Sequence, residues 1–406
     1  MPESRLQRLE RAVRARARAE TKPPLDHVQA RVVLDAGGDV AVTLLLFDGA
    51  VAVRAGRHPE PTTTIVGDLD VLLAISEGRT SGVEAFLDRR IAVDGDLALS
   101  LQLDGVFDGD RPDRFPRAGA ATVAGVRTGY LEAGPPDAQP VVGLHGLGAT
   151  NASLLPTLWD LAADHRVVMP DLPGHGASSA PRGRYDAAFY ARWLTGFLDE
   201  RELDRVVLLG NSLGGRVALE MAMLAPDRVS GLVLLSPAVA FRRLRQLVPL
   251  VRLVRPEAAA LPIPMTRGMA EATLRAMFSR PDRLTPQSYD AAAGEFVRVY
   301  RSRRHRVAFF SSLRSIYLDD AFGEKGFWSR LPELEPPALF VWGARDRLVP
   351  ASFARHIVDA VPHARSVVLD DCGHVPQFEL PERTHALVRE FLAGLEGAQG
   401  GDIASA

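Results

Sequence analysis

Three residues of this 406-residue chain form a set that can activate a hydroxyl group: Ser212, Asp346 and His374. Ser212 stands in Gly210-Asn211-Ser212-Leu213-Gly214, after the apolar run Val206-Val207-Leu208-Leu209 and before an apolar-periodic stretch at 216–224. A serine between two glycines, where a strand hands over to a helix, sits on a strained, exposed tip suited to attack on a carbonyl. Alone, the same five residues also describe a glycine-softened helix start. Asp346 follows the apolar run 338–342, a position from which a carboxylate can orient and support an imidazolium. His374 follows the run 365–369. Taken singly, these are a turn aspartate and a loop histidine. His145-Gly146-Leu147-Gly148 follows 141–144, and its glycines leave backbone N–H groups free to meet an incoming oxygen. The N–H groups of Leu147 and Leu213 are therefore the oxyanion-hole candidates. His145 reads as a structural imidazole that orients its own loop.

The elements that must position these residues alternate. Strands are expected at 141–144, 166–169, 205–209, 231–235, 338–342 and 365–369, with helices at 154–163, 190–198, 353–360 and 383–395 and one opened by the serine. Alternating β and α units require a mostly parallel, doubly wound sheet, whose functional loops lie at the strand ends. Every candidate residue falls just after such a strand.

In order and position, Ser212, Asp346 and His374 match the chain order of the α/β-hydrolase superfamily. The resemblance covers about 120–398 and includes Asp171-Leu172-Pro173-Gly174-His175-Gly176-Ala177-Ser178. In that family the Pro-Gly-His-Gly segment is structural, which leaves His175 and Asp171 without a chemical role. Cys372 has no base of its own and reads as a small packing residue. Epoxide hydrolases and haloalkane dehalogenases of the superfamily carry aspartate at the elbow, so Ser212 makes both reactions unexpected. The resemblance implies a serine hydrolase of carboxylesterase or lipase type, working through an acyl-enzyme and needing no metal or organic cofactor. An acyltransferase, a haloperoxidase-like enzyme and a carbon–carbon bond hydrolase would use the same triad.

The family inserts a helical cap where this chain is interrupted, at about 238–335. Apolar stripes there comprise Leu244, Leu247, Val248, Val251 and Leu253, then Leu274, Met277 and Phe278, then Val307, Phe309, Phe310, Leu313 and Ile316. Inward-facing stripes would exclude water and favour a hydrophobic acyl substrate, while some must simply pack on the sheet. Arg301, Arg303, Arg304 and Arg306 read first as a solvated face and otherwise as a patch that meets a carboxylate or phosphate headgroup.

Upstream the grammar differs. Residues 40–47 and 51–54 flank Asp48-Gly49, a hairpin signal. Asp68 is placed to cap a helix ending near Gly78, a second helical piece runs 83–88, and Ile91 and Val93 lead to another Asp-Gly turn at 94–95. Strands first and helices second describe an α+β domain. Thr64-Ile65-Val66, the helix from Asp68, Phe86-Leu87 and Ile91-Ala92-Val93-Asp94-Gly95-Asp96-Leu97 resemble the sterol-carrier-protein lipid-transfer family. That likeness spans about 25–107 and implies an apolar tunnel between sheet and helices that holds a lipid. The family has a helix where Leu97, Leu99, Leu101 and Leu103 alternate as a strand would, and the segment stays open. The alternative is an ordinary domain filled by its own side chains, or a lipid carrier to which the hydrolase fold is a passenger.

The organisation expected is a basic N-terminal helix (1–24), a sterol-carrier-like domain (25–107), a linker (108–119), the α/β-hydrolase domain (120–398) and a flexible tail (399–406). A net charge of −2, with 48 basic and 50 acidic residues, argues against nucleic acid. Lys22 and Lys325 are the only lysines, so basicity is almost all arginine, as in GC-rich bacterial coding. No signal peptide and no apolar run of membrane-spanning length is expected, which leaves at most peripheral membrane contact. One cysteine excludes an intrachain disulfide, and a reducing, cytoplasmic setting fits.

Overall fold

Asp48 and Gly49 both adopt positive φ, 46° and 84°, the geometry a tight hairpin needs. In this computed structural model, which describes residues 3–20, 25, 28–107, 111–240, 248–253, 255–261 and 264–403, they join β2 (Ala41–Phe47) to β3 (Ala50–Ala55). With β1 (Ala30–Asp35), β4 (Thr63–Gly67) and β5 (Ile91–Gly95) these strands form a five-stranded sheet of order β3-β2-β1-β4-β5. Asp94-Gly95 ends β5 against Thr63 and Thr64 and turns no hairpin.

Helix α1 (Arg5–Arg16) packs on β2, β3 and α2 (Leu69–Ser76) and buries Leu9 and Val13. It therefore belongs to the N-terminal core and does not stand ahead of it. Ser81 caps α3 (Gly82–Leu87) through its hydroxyl, whereas Asp68 makes no side-chain cap bond to α2. The open segment is helical, as α4 (Leu97–Gln102), begun by an Asp96 carboxylate that accepts Leu99 N–H. Leu97, Leu99, Leu101 and Leu103 are all buried, because α4 is packed against β4, β5, the strand Arg117–Val123 and the helix Pro286–Arg301. In an enclosed helix, alternation carries no information about period.

The second sheet has eight strands, ordered β13-β12-β11-β10-β8-β9-β7-β6. Its parallel part comprises β8 (Pro140–Leu144), β9 (Arg166–Pro170), β10 (Val206–Asn211), β11 (Val229–Leu235), β12 (Ala338–Gly343) and β13 (Arg365–Leu369). An antiparallel hairpin, β6 (Arg117–Val123) and β7 (Val126–Ala133), extends it, so β6 starts inside the expected linker. Ala124 and Gly125 turn it at φ 48° and 81°.

Helices α5 (Leu155–Leu161), α6 (Ala187–Glu200), α7 (Leu213–Leu224), α13 (Phe353–Ala360), α14 (Pro376–Glu379) and α15 (Pro381–Ile403) belong to this half. Helix α15 runs into the stretch expected to be a tail. Between β11 and β12 lies the helical insertion: α8 (Val248–Leu253), α9 (Arg267–Met277), α10 (Pro286–Arg301), α11 (Arg303–Leu318) and α12 (Phe327–Arg330). Leu244 and Leu247 lie outside the described residues, and Leu253 is exposed. Arg301, Arg303 and Arg304 are exposed, but Arg306 is buried and donates to the carbonyls of Ala259, Ala260, Tyr300 and Arg301. It ties α11 to the end of α10 and to the turn Pro256–Ala260 and is no part of a solvated face.

One apolar core runs without a break from Leu9 and Leu72 through Phe107 to Val141, Leu161 and Leu392, so the two halves share an interior. Among the described residues no helix is long and apolar enough to cross a membrane.

Candidate active site

Ser212 lies at the junction of β10 and α7 with φ 54° and ψ −113°, a conformation that L residues rarely hold. Two glycines permit it. A Cβ on Gly210 would stand 2.4 Å from Gly214 C, and one on Gly214 would stand 2.0 Å from Leu144 O. The helix thus approaches its strands more closely than any side chain allows. Ser212 N–H donates to Leu235 O and Ser212 O accepts Ala238 N–H, which fixes the turn from both ends.

Asp346 and His374 come from the loops after β12 and β13. His374 Nδ1 lies 2.7 Å from Asp346 Oδ2, and Asp346 Oδ1 accepts the N–H groups of Leu348 and Val349. Both residues are buried. Asn211, beside the serine, donates through Nδ2 to His374 O at 3.2 Å and so joins the elbow to the histidine loop. Among the described residues, no hydrogen bond joins Ser212 Oγ to the His374 ring; the two residues border one cavity. Free enzymes commonly hold such pairs apart until substrate arrives.

Leu147 and Gly148 line the same cavity as Ser212. A Cβ on Gly148, at φ 73°, would meet Phe296 and Phe309 at 2.9 Å, so the cap presses directly on this loop. Leu213 opens α7, and the first N–H groups of a helix have no partner within it. His145 is completely buried; its Nδ1–H donates to Gly146 O at 2.8 Å and its Nε2 accepts Leu172 N–H at 2.9 Å. Burial pushes its pKa down to about 4, so the ring is neutral and clamps two loops together. Asp171 accepts Asn151 N–H and Ala177 N–H, and burial raises it to about 7. Burial likewise pushes the Cys372 thiol up to about 12, which keeps it protonated and unreactive.

Two features escaped the sequence reading. Glu379, buried behind the histidine loop, accepts the N–H groups of Gly373 and Ser279, while His374 N–H donates to Met277 O. The cap is thereby bonded to the loop that carries the imidazole. An acidic residue inside the otherwise uncharged 375–380 was the only available signal. The second is the cavity, about 1150 Å³ in volume, whose walls combine Ser212 and His374 with Leu274, Met277, Phe309 and Ile316 of the cap. Phe86, Leu87 and Leu97 of the N-terminal half complete it. Among the described residues no His, Cys, Asp and Glu cluster could hold a metal ion.

Comparison with known proteins agrees with this architecture. Residues 139–381 match the alpha/beta hydrolase fold family, and residues 8–108 match the SCP-2 sterol transfer family. The chain is 28% identical over 348 residues to the dihydrolipoyllysine-residue acetyltransferase component of an acetoin cleaving system from Pseudomonas putida, covering 85% of each chain. It is 30% identical over 265 residues to a 2-hydroxy-6-oxononadienedioate/2-hydroxy-6-oxononatrienedioate hydrolase from Cupriavidus pinatubonensis, covering 63% of this chain and 87% of that one. Among solved structures, a bacterial membrane phospholipase A superposes with a TM-score of 0.58 and 27% identity, over 69% of this chain and 87% of that one.

Proposed function

The chain belongs to the alpha/beta hydrolase fold family, and on that footing we propose that it is a serine hydrolase of esterase or lipase type acting on hydrophobic acyl esters. The observation that carries this reading is one cavity, walled largely by apolar side chains, that Ser212 and His374 both border. The His374 ring is held by Asp346 at 2.7 Å.

In the proposed reaction His374 Nε2 takes the Ser212 hydroxyl proton as Oγ attacks the ester carbonyl. The N–H groups of Leu147 and Leu213 stabilise the oxyanion, and the imidazolium supported by Asp346 returns the proton to the leaving alcohol. Water, deprotonated by the same imidazole, then attacks the acyl-enzyme and releases a carboxylic acid. No metal or organic cofactor takes part, and a hydrophobic small molecule or acyl lipid is the partner. A single cysteine is in keeping with a cytoplasmic, reducing setting.

The test is turnover of p-nitrophenyl esters of increasing chain length by wild type and Ser212→Ala, together with site mapping of a fluorophosphonate label. We expect the label on Ser212 and a loss in kcat on the order of 10⁴-fold or more. Equal turnover by both proteins removes the triad assignment.

The Pseudomonas putida relative, aligned over 85% of this chain and described as an acetyltransferase component, favours one second reading: acyl transfer to an acceptor other than water. Added alcohols or thiols would then divert product from free acid to a new ester or thioester in proportion to their concentration.

A further inference from the structure

The cavity above Ser212 is larger than the ~300–1,000 Å³ of ordinary small-molecule sites, at about 1150 Å³. Part of its wall comes from the other domain. Phe86, Leu87, Asp88 and Arg89 at the end of α3, and Leu97 at the start of α4, line it together with the catalytic loops. Helix α3 packs on α5 and on β5.

The N-terminal domain is fixed in this position by specific bonds. Arg89 donates to Arg283 O at 3.2 Å. Cap helix α10 packs on β5 and α4, and its buried Glu295 accepts Ala98 N–H while pairing with Arg298 at 2.6 Å. Arg298 in turn reaches Asp96 at 3.4 Å. These contacts join the cap to the N-terminal domain along the wall that the two share. Its own interior between sheet and helices is occupied by fully buried Leu9, Val13, Val32, Leu44 and Leu72.

We propose that the N-terminal domain is the far wall of the acyl-chain site and sets substrate chain length in place. With the carbonyl at Ser212, the apolar chain of a long acyl ester runs through the cavity and ends against Phe86, Leu87 and Leu97. This rests on the hydrolase reading for the position of the carbonyl, but the wall itself is tested separately.

Two opposite substitutions in the full chain provide the test. Leu87→Trp fills the wall and Phe86→Ala opens it. The kcat/KM for p-nitrophenyl palmitate relative to butyrate falls about tenfold or more in Leu87→Trp and shifts towards longer esters in Phe86→Ala. Melting temperatures report whether each variant is folded. Independently of turnover, a fluorescent long-chain fatty acid bound by Ser212→Ala binds at least several-fold more weakly to Ser212→Ala/Leu87→Trp. If neither the ester ratio nor fatty-acid binding moves in the folded variants, the wall assignment is overturned while the hydrolase reading stands. If fatty-acid binding weakens but Ser212→Ala turns esters over as wild type does, the wall survives and the triad fails.

Discussion

Asp346 holds the His374 ring by one carboxylate oxygen, 2.7 Å from Nδ1, while its other oxygen accepts Leu348 N–H and Val349 N–H at 2.7 and 3.0 Å. Both oxygens are engaged, so the carboxylate fixes the ring's direction and its tautomer together. Asp346→Asn keeps the volume but offers the ring an amide that can donate to Nδ1. We predict a fall in kcat/KM of about 10⁴-fold with an unchanged melting temperature, read by steady-state kinetics and thermal unfolding. An active Asp346→Asn would remove Asp346 from the proposed triad.

The strained elbow needs a glycine at position 214. A methyl there would stand 2.0 Å from Leu144 O, in the backbone of a central strand. Gly214→Ala is therefore expected to lose more than about 3 kcal/mol of stability or to fail to fold. At Gly268, near the start of α9, an added methyl would meet nothing within 4 Å. Gly268→Ala should be neutral or stabilise by up to ~1 kcal/mol. Chemical denaturation of the pair checks both.

His145 predicts an acid limit to stability. Burial holds its folded pKa at about 4, below the usual imidazole value, so between pH ~6.5 and ~4 the unfolded chain binds a proton that the folded chain refuses. Stability is lost as pH falls through that window. Burial of His175 acts in the same direction, to about 3. Asp171, raised to about 7, opposes them, because its folded form keeps a proton that the unfolded aspartate has released. His145→Asn should therefore show a flatter acid slope, its deficit against wild type shrinking by about 3 kcal/mol between pH ~7 and pH ~4. Parallel slopes in urea titrations at the two pH values would refute this.

The architecture was legible because its signals are local. Runs such as 338–342 and 365–369 became β12 and β13, Asp48-Gly49 turned a hairpin, and the glycines around Ser212 announced a close strand–helix approach that their geometry requires. Chain order was enough to bring Asp346 beside His374, since parallel strands present their following loops on one edge of the sheet. Four things needed the third dimension. The leucines of 97–103 alternate yet lie in helical turns, because α4 packs on strands of both sheets and on α10. Arg306 and Glu379 are buried through bonds to segments 46 and 100 residues away. Hairpin β6–β7 consumed part of an apparent linker. The fourth is the partnership of Phe86 and Leu87 with Ser212 around one cavity. The sequence by itself determined which residues can do chemistry and which strand ends carry them, because those depend on spacing along a few residues. Only tertiary structure decided that two halves with different grammar share one core and border one cavity, because that depends on contacts between distant segments, which no local pattern encodes.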